Sequence, residues 1–256
     1  MGRKRWVVLF HGAPGSRLFV PGGVPDDVAL LTFDRPGYGL EAPQPGRTLL
    51  DTAAQAIALL DARGVARVEL IGWSGGGAFA ATTARVLGPA RVDRLTLVSA
   101  PGPLDEVPGA WDALGDHQRP TAEMARVDPA RSARAIARHM APFVEQPSSF
   151  VGSGRGPDAA TLADPAARAM LEAAVAEGLR QGAAGIAADM IAWWQPWPFA
   201  LGDLEVETRV FHGAGDPYND ADARTYAARI PGASLTIWDD CGHLGIVPHW
   251  LEVLGE

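Results

Sequence analysis

Six short apolar runs punctuate the chain: WVVLF from Trp6, LLTFD from Leu30, VELIG from Val68, RLTLVSA from Arg94, TRVFHG from Thr208 and SLTIWDD from Ser234. Each is brief and rich in β-branched and aliphatic residues, which is how a strand buried on both faces reads. Between them lie alanine-rich stretches, such as residues 49–63 and 76–87, with apolar positions at helical spacing. Alternation of this kind predicts an α/β fold with a mostly parallel sheet and helices on both faces. The rhythm breaks once. Residues 101–202 hold no convincing strand but two long helical patterns, 121–143 and 164–194, separated by QPSSFVGSGRGPD. We expect residues 1–100 and 203–256 to form one core and residues 101–202 a helical cap, or lid, inserted between strands. The glycine- and serine-rich middle of the cap, 147–157, is expected to be its most flexible piece, as a plain linker or the edge of a mobile lid. No internal repeat is present.

Composition narrows the class. A chain of 256 residues is long enough for one large α/β domain with a sizeable core. Hydrophobic residues make up 47% and charged residues 20%, ordinary globular usage, and the formal net charge of −8 provides no basic footprint for nucleic acid. The single cysteine, Cys241, excludes an intrachain disulfide framework and a multi-cysteine metal site, in keeping with a reducing cytoplasm. Arg3-Lys4-Arg5 precede an apolar run too short for a signal-peptide core of about 7–15 residues. No stretch approaches the roughly 18 apolar residues of a membrane span. The expectation is a soluble cytoplasmic protein whose partner is a small-molecule substrate, with neither nucleic acid nor membrane. Its oligomeric state is not legible.

In open α/β sheets ligands bind beyond the carboxyl ends of the strands, so the residues following each run carry the chemistry. The first run ends in HGAPGS (from His11), the second in DRPGYG (from Asp34), and the third in GWSGGG (from Gly72). The last two end in HGAGD (from His212) and DDCGH (from Asp239). Gly72-Trp73-Ser74-Gly75-Gly76 fits G-x-S-x-G, the strained strand-to-helix turn that exposes a nucleophile, and Ser, Asp and His then follow strands in the order of an α/β-hydrolase triad. On these five motifs, spread from Trp6 to about Gly245, the sequence resembles α/β-hydrolase-fold serine hydrolases with an HG-x-PG oxyanion loop, a DRPGYG turn, a GWSGGG nucleophile elbow and a helical cap. In that family two further strands usually precede the HG-loop strand, whereas this chain begins almost directly at it. The strand ending at Asp34 is then expected to be a sheet edge.

A serine hydroxyl needs a neighbouring base to become a nucleophile, and a neutral imidazole suits that role because histidine titrates near neutrality. We assign Ser74 as nucleophile, His243 as base, and Asp216 as the acid that orients the ring. Asp105, after the fourth strand, is the alternative acid, and Asp239 and Asp240 lie too close to His243 in sequence to be favoured. A turn or helix cap is the plain structural reading of Asp216 in GDPYND. Gly72 and Gly76 should permit close packing at the elbow, and Gly75 should offer its N–H to an oxyanion. By the resemblance, the second oxyanion donor is the Ala13 N–H, with Gly12 allowing its approach. His11 and His212 read as supporting histidines. Trp111, Met140, Phe143 and Met190 are candidate walls of an apolar acyl or alcohol pocket, although helical spacing would look the same if they only packed the cap onto the core, and Trp73 is a candidate substrate contact that reads first as core. Phe79, Trp193, Trp194 and Trp197 read first as core, and residues 126–138 as a solvated helix face. No nucleotide, flavin or metal motif is present, so no cofactor and no metal is implied. The expected activity is hydrolysis of an ester, thioester or small amide through an acyl-enzyme. Two alternatives remain: the same triad used for acyl transfer, C–C bond hydrolysis, perhydrolysis or lyase chemistry, and a ligand-binding receptor with little turnover.

Overall fold

The computed structural model describes residues 4–152, 154–216, 218 and 220–256. In chain order the core runs β1 (Arg5–Phe10), β2 (Val28–Thr32), α1 (Leu49–Asp61), β3 (Val68–Trp73), α2 (Gly76–Leu87) and β4 (Val92–Val98). The interval that follows is helical: α3 (Ala110–Ala113), α4 (Gly115–Val127), α5 (Pro129–Glu145), α6 (Ser148–Val151), α7 (Ala159–Ala163), α8 (Pro165–Gly178) and α9 (Ala184–Trp194). A 3-10 turn (Leu201–Asp203) leads back to β5 (Thr208–Gly213), α10 (Ala221–Arg229), β6 (Ser234–Trp238) and α11 (Trp250–Leu254).

The strands form one six-stranded parallel sheet in the order β2-β1-β3-β4-β5-β6. All six apolar runs become strands, the second and the fourth each beginning two residues earlier than its sequence pattern suggests. Side chains alternate across the sheet as a pleat requires. Val8 and Phe10 join the cluster under α1, α2 and α10, while Val7 and Leu9 join the opposite cluster with Trp250, Val253 and Leu254 of α11. The chain passes from β1 outward to β2 and then returns to place β3 on the other side of β1. The loops leaving β1 and β3 therefore diverge and open a crevice at their carboxyl ends, where such sheets bind ligands.

As expected, β2 is an edge strand, half-buried along Ala29–Thr32, with Leu30 and Leu31 packing into opposite clusters. The two long helical patterns are each broken in two. Asp128 ends the first, accepting the Arg131 N–H at 3.0 Å while Pro129 opens α5. A side-chain cap followed by proline starts a new helix more readily than it extends an old one. The second breaks at residues 179–183, where Gly182 adopts a φ of 83°. Both breaks let α5, α8 and α9 turn their apolar faces into one shared cluster, including Ile136, Met140, Val175, Ile186 and Trp194. Residues 126–138 are not uniformly solvated, because Arg126 reaches inward to donate to the Trp194 carbonyl at 2.8 Å.

Candidate active site

Ser74 follows β3 directly with a φ of 51°, a left-handed conformation that non-glycine residues rarely adopt, and the next residues start α2. The surrounding glycines have a measurable reason. A Cβ on Gly76 would fall 2.2 Å from the Phe10 carbonyl oxygen, and one on Gly72 would fall 2.5 Å from the Gly77 Cα. Only bare backbone lets α2 come this close to β1 and β3, so Ser74 stands at the top of the sheet. Sequence spacing alone suggested this packing role, and the distances support it.

The sheet then brings three distant side chains into line. His243 Nε2 lies 2.9 Å from Ser74 Oγ, and His243 Nδ1 lies 2.9 Å from Asp216 Oδ2. The Asp216 carboxylate can only accept, so Nδ1 carries the proton and the Nε2 lone pair faces the serine hydroxyl. Burial of the Asp216 side chain, which is fully enclosed, pushes its pKa up. The hydrogen bond and charge of His243 and the Tyr218 N–H, at 3.0 Å, outweigh that and hold it below the ordinary carboxylate range. The alternative acid is engaged elsewhere: Asp105 makes a two-pronged ion pair with Arg126 at 2.9 Å on each arm. Asp240 hydrogen-bonds His249 at 3.0 Å.

His212 is buried with Nδ1 3.9 Å from Asp216 Oδ2, and burial lowers its pKa. It therefore stays neutral behind Asp216 rather than drawing its carboxylate away from His243. His11 is likewise buried, and its Nδ1–H donates to the Gly12 carbonyl at 2.7 Å. Burial, followed by the charge of Arg35, lowers its pKa far below the usual histidine value.

Ala13 and Gly75 face each other beside Ser74. A Cβ on Gly75 would come within 3.3 Å of the Ala13 Cβ, and one on Gly12 within 3.3 Å of the Ser74 Cβ. Among the described residues neither the Ala13 nor the Gly75 N–H donates a hydrogen bond within the protein. Unpaired backbone donors are rare in folded chains, and Gly75 also caps the N-terminus of α2, where the helix dipole favours an anion.

The five candidate pocket residues divide. Met140 is buried, and Trp111, Phe143 and Met190 pack half-buried against the same apolar cluster that Ala13 and Trp193 join. Trp73 spends its face on Phe19, stacked at 4.3 Å, and donates its Nε1–H to the His243 carbonyl at 3.0 Å. It thus braces the histidine loop from below. Trp193, read from sequence as core, lies over the turn that follows Ser74 instead: a Cβ on Gly75 would meet its ring at 2.3 Å.

Sequence reasoning missed several supports. Asp158 accepts the backbone N–H groups of Gly242 at 2.8 Å and Leu244 at 3.2 Å, bracketing His243, while Pro157 packs against Gly215. The end of the supposedly flexible stretch is thus tied to the loops carrying His243 and Asp216. Asp222, in the first turn of α10, accepts the Gly102 N–H at 2.8 Å. It is pushed up to about 6 by burial, with the charge of Asp216 adding to the effect. A carboxyl raised in the folded state costs stability as pH climbs from its unfolded value near 4 through about 6. Asp222→Asn, which keeps the acceptor and removes the charge, should therefore stabilise the protein by roughly 1–3 kcal/mol at pH 8. The gain should vanish near pH 4, as read by urea unfolding, and equal gains at both pH values would contradict the assignment.

Among the described residues one set of potential metal ligands converges, Asp240, Cys241 and His249, with ligand atoms within 4.8 Å of one another. Burial first, then Asp240, push the Cys241 thiol up to about 12, and the His249 ring stacks on Trp238 at 4.3 Å. No described helix is long and apolar enough to cross a membrane.

A parallel sheet, a serine on a strained strand-to-helix turn and a helical interval before β5 define a class, and the chain belongs to it: the alpha/beta hydrolase fold family pattern matches residues 5–249. An alpha/beta hydrolase fold protein from Nakamurella multipartita is 26% identical, with a TM-score of 0.65 over 97% of this chain and 88% of that one. The enol-lactonase from Burkholderia xenovorans LB400 shares the fold at 20% identity and a TM-score of 0.65, over 100% of this chain and 93% of that one. A pimeloyl-[acyl-carrier protein] methyl ester esterase from Aromatoleum aromaticum is 38% identical over 82 residues, and that match spans 31% of this chain and 32% of the relative.

Proposed function

We propose that the protein is a serine hydrolase that cleaves an ester, thioester or small amide through a covalent acyl-enzyme. The observation that carries this reading is the unbroken line from Asp216 through His243 to Ser74, with 2.9 Å at each step. In this mechanism Ser74 Oγ attacks the substrate carbonyl carbon as its proton passes to His243 Nε2. Asp216 fixes the ring and stabilises the imidazolium that forms. The carbonyl oxygen becomes an anion that accepts from the Ala13 and Gly75 N–H groups, each worth about 3 kcal/mol by mutational precedent. Collapse expels the alcohol, thiol or amine with the proton from Nε2, and water then repeats the sequence to release the acid. A carboxylic ester is the favoured substrate, in keeping with the methyl ester esterase similarity.

Residues 101–202 serve as a cap over a core of 1–100 and 203–256. Trp111, Phe143 and Met190 then offer an apolar acyl or alcohol group its contacts, with Met140 packed behind them. Trp73 acts through His243, which it braces. The chemistry needs no cofactor and no metal, and it suits a small substrate in the cytoplasm.

A fluorophosphonate probe tests the reading. Its phosphorus should bond to Ser74 Oγ as the P–F bond breaks, fluoride leaves and the hydroxyl proton passes to His243, and peptide mass mapping should place the adduct on the elbow peptide. Release of alcohol from short-chain aryl esters should accompany labelling. Labelling without ester turnover would point to acyl transfer or lyase use of the same residues. A folded sample that fails to label beside a reactive control would sink the nucleophile assignment.

A further inference from the structure

Below the HG loop lies a polar cluster that the serine chemistry, as described, does not use. The side chains of Arg35, Arg47 and Asp189 are fully buried, and Tyr38 is buried with them. Arg35 donates through Nη2 to Asp189 Oδ2 at 2.6 Å and through Nε at 3.1 Å, while the Tyr38 hydroxyl donates to the same carboxylate at 2.7 Å. Arg47 pairs with Asp189 from the other side and binds Thr52 and the Pro36 and Gly185 carbonyls. Arg35 and Arg47 both lie over the Phe79 ring of α2, at 4.8 and 5.3 Å. Two guanidinium groups against one carboxylate leave a surplus of buried positive charge. Buried ion pairs seldom stabilise more than apolar side chains of the same volume, so packing alone is a poor reason for this cluster.

Resting on the serine-hydrolase reading above, we propose that Arg35, anchored by Asp189, is a positioning residue for the oxyanion site. Its remaining donors go to the oxyanion loop: Nη1 to the His11 carbonyl at 2.7 Å and Nη2 to the Gly12 carbonyl at 3.3 Å. The His11 Nδ1–H reaches that same Gly12 oxygen at 2.7 Å. In a trans peptide the C=O and N–H point in opposite directions. Fixing the Gly12 carbonyl toward the cluster therefore aims the Ala13 N–H away from it. Two donors on one carbonyl also polarise the peptide and strengthen its N–H as a donor, while the nearby positive charge favours the oxyanion. Asp189 lies one helical turn before Trp193, so the anchor that holds Arg35 also sets how closely α9 covers Gly75. Arg47 touches neither His11 nor Gly12, and its part is to fasten α9 to the DRPGYG turn.

Variants that separate these two parts test the assignment, with p-nitrophenyl acetate as substrate and fluorophosphonate labelling of Ser74 as an independent readout. An oxyanion exists only after attack, so Arg35→Gln should lower kcat about 10–100-fold while moving KM less than about threefold. Its labelling rate should fall in parallel. Arg47→Gln should lower the melting temperature yet keep kcat within about threefold of wild type. If Arg35→Gln does not fold, replacing the whole cluster (Arg35→Met, Tyr38→Phe, Arg47→Met, Asp189→Leu) leaves no charge unpaired and should fold. It should show the same loss of kcat and of labelling. Wild-type rates in either folded Arg35 variant would overturn the assignment, as would equal kcat losses in Arg35→Gln and Arg47→Gln. Failure of both Arg35 variants to fold would also overturn it, by making the cluster a requirement of folding. If wild type itself neither labels nor turns over, the hydrolase reading falls first and this one with it.

Discussion

Ser74→Ala and His243→Ala should each reduce turnover of an aryl ester by at least about 10⁴-fold, and the double variant should lose little more. The reason is the 2.9 Å contact between Ser74 Oγ and His243 Nε2. In the proposed mechanism the hydroxyl is inert without the base, and the base has nothing to deprotonate without the hydroxyl, so the two losses would describe one event and not add. Both variants should remain folded. Alanine at position 74 removes an oxygen without adding bulk, and His243 is only half-buried, with its carbonyl still available to Trp73 Nε1. The check is steady-state kinetics beside circular dichroism on the same samples. Residual turnover within tenfold of wild type in either variant would reject the pair, and additive losses would reject their coupling.

Asp216→Asn should cost roughly 10³–10⁴-fold in kcat, whereas Asp105→Asn should leave kcat within a few-fold of wild type. An amide at position 216 can turn its NH₂ toward His243 Nδ1, which favours the tautomer whose proton sits on Nε2 and faces Ser74 the wrong way. Stabilisation of the imidazolium is lost at the same moment. Asp105 lies on the surface in its ion pair with Arg126, a contact that is half-exposed and worth little. Kinetics of the two purified variants decide between them, and the reverse ranking would transfer the acid's role to Asp105.

Much of the site follows from short-range pattern. Ser74, Gly75 and Gly76 lie in one unbroken stretch, and the turn they form depends on neighbours a few residues away. His11 and His212, read as supporting groups, are buried and uncharged, as single histidines after apolar strands often are. The helix breaks at Asp128 and at residues 179–183 were legible only in part. Asp-Pro is a local capping signal, but the turn after α8 answers to the packing of α9 against Tyr38 and Gly37, which no local pattern records. Trp193 shows the same limit: helical spacing places it on an apolar face without saying that the face covers Gly75.

The sequence by itself determined the alternation of strands and helices, the interruption between β4 and β5, and the identity of the residues following each strand. These are properties of local spacing, hydrophobic periodicity and turn chemistry, which act over a few residues. Only the tertiary structure decided which of those residues meet. Asp216 and Asp105 both follow strands, but only Asp216 is enclosed and within reach of His243, across a sheet that sets β5 beside β6, whereas Asp105 turns outward to Arg126. Arg35 and Gly12 stand in two of the sequence motifs and Asp189 in none, and nothing local says that the three meet. They are brought together because burial in a medium of low polarity leaves each charge and carbonyl to find its partner inside the protein.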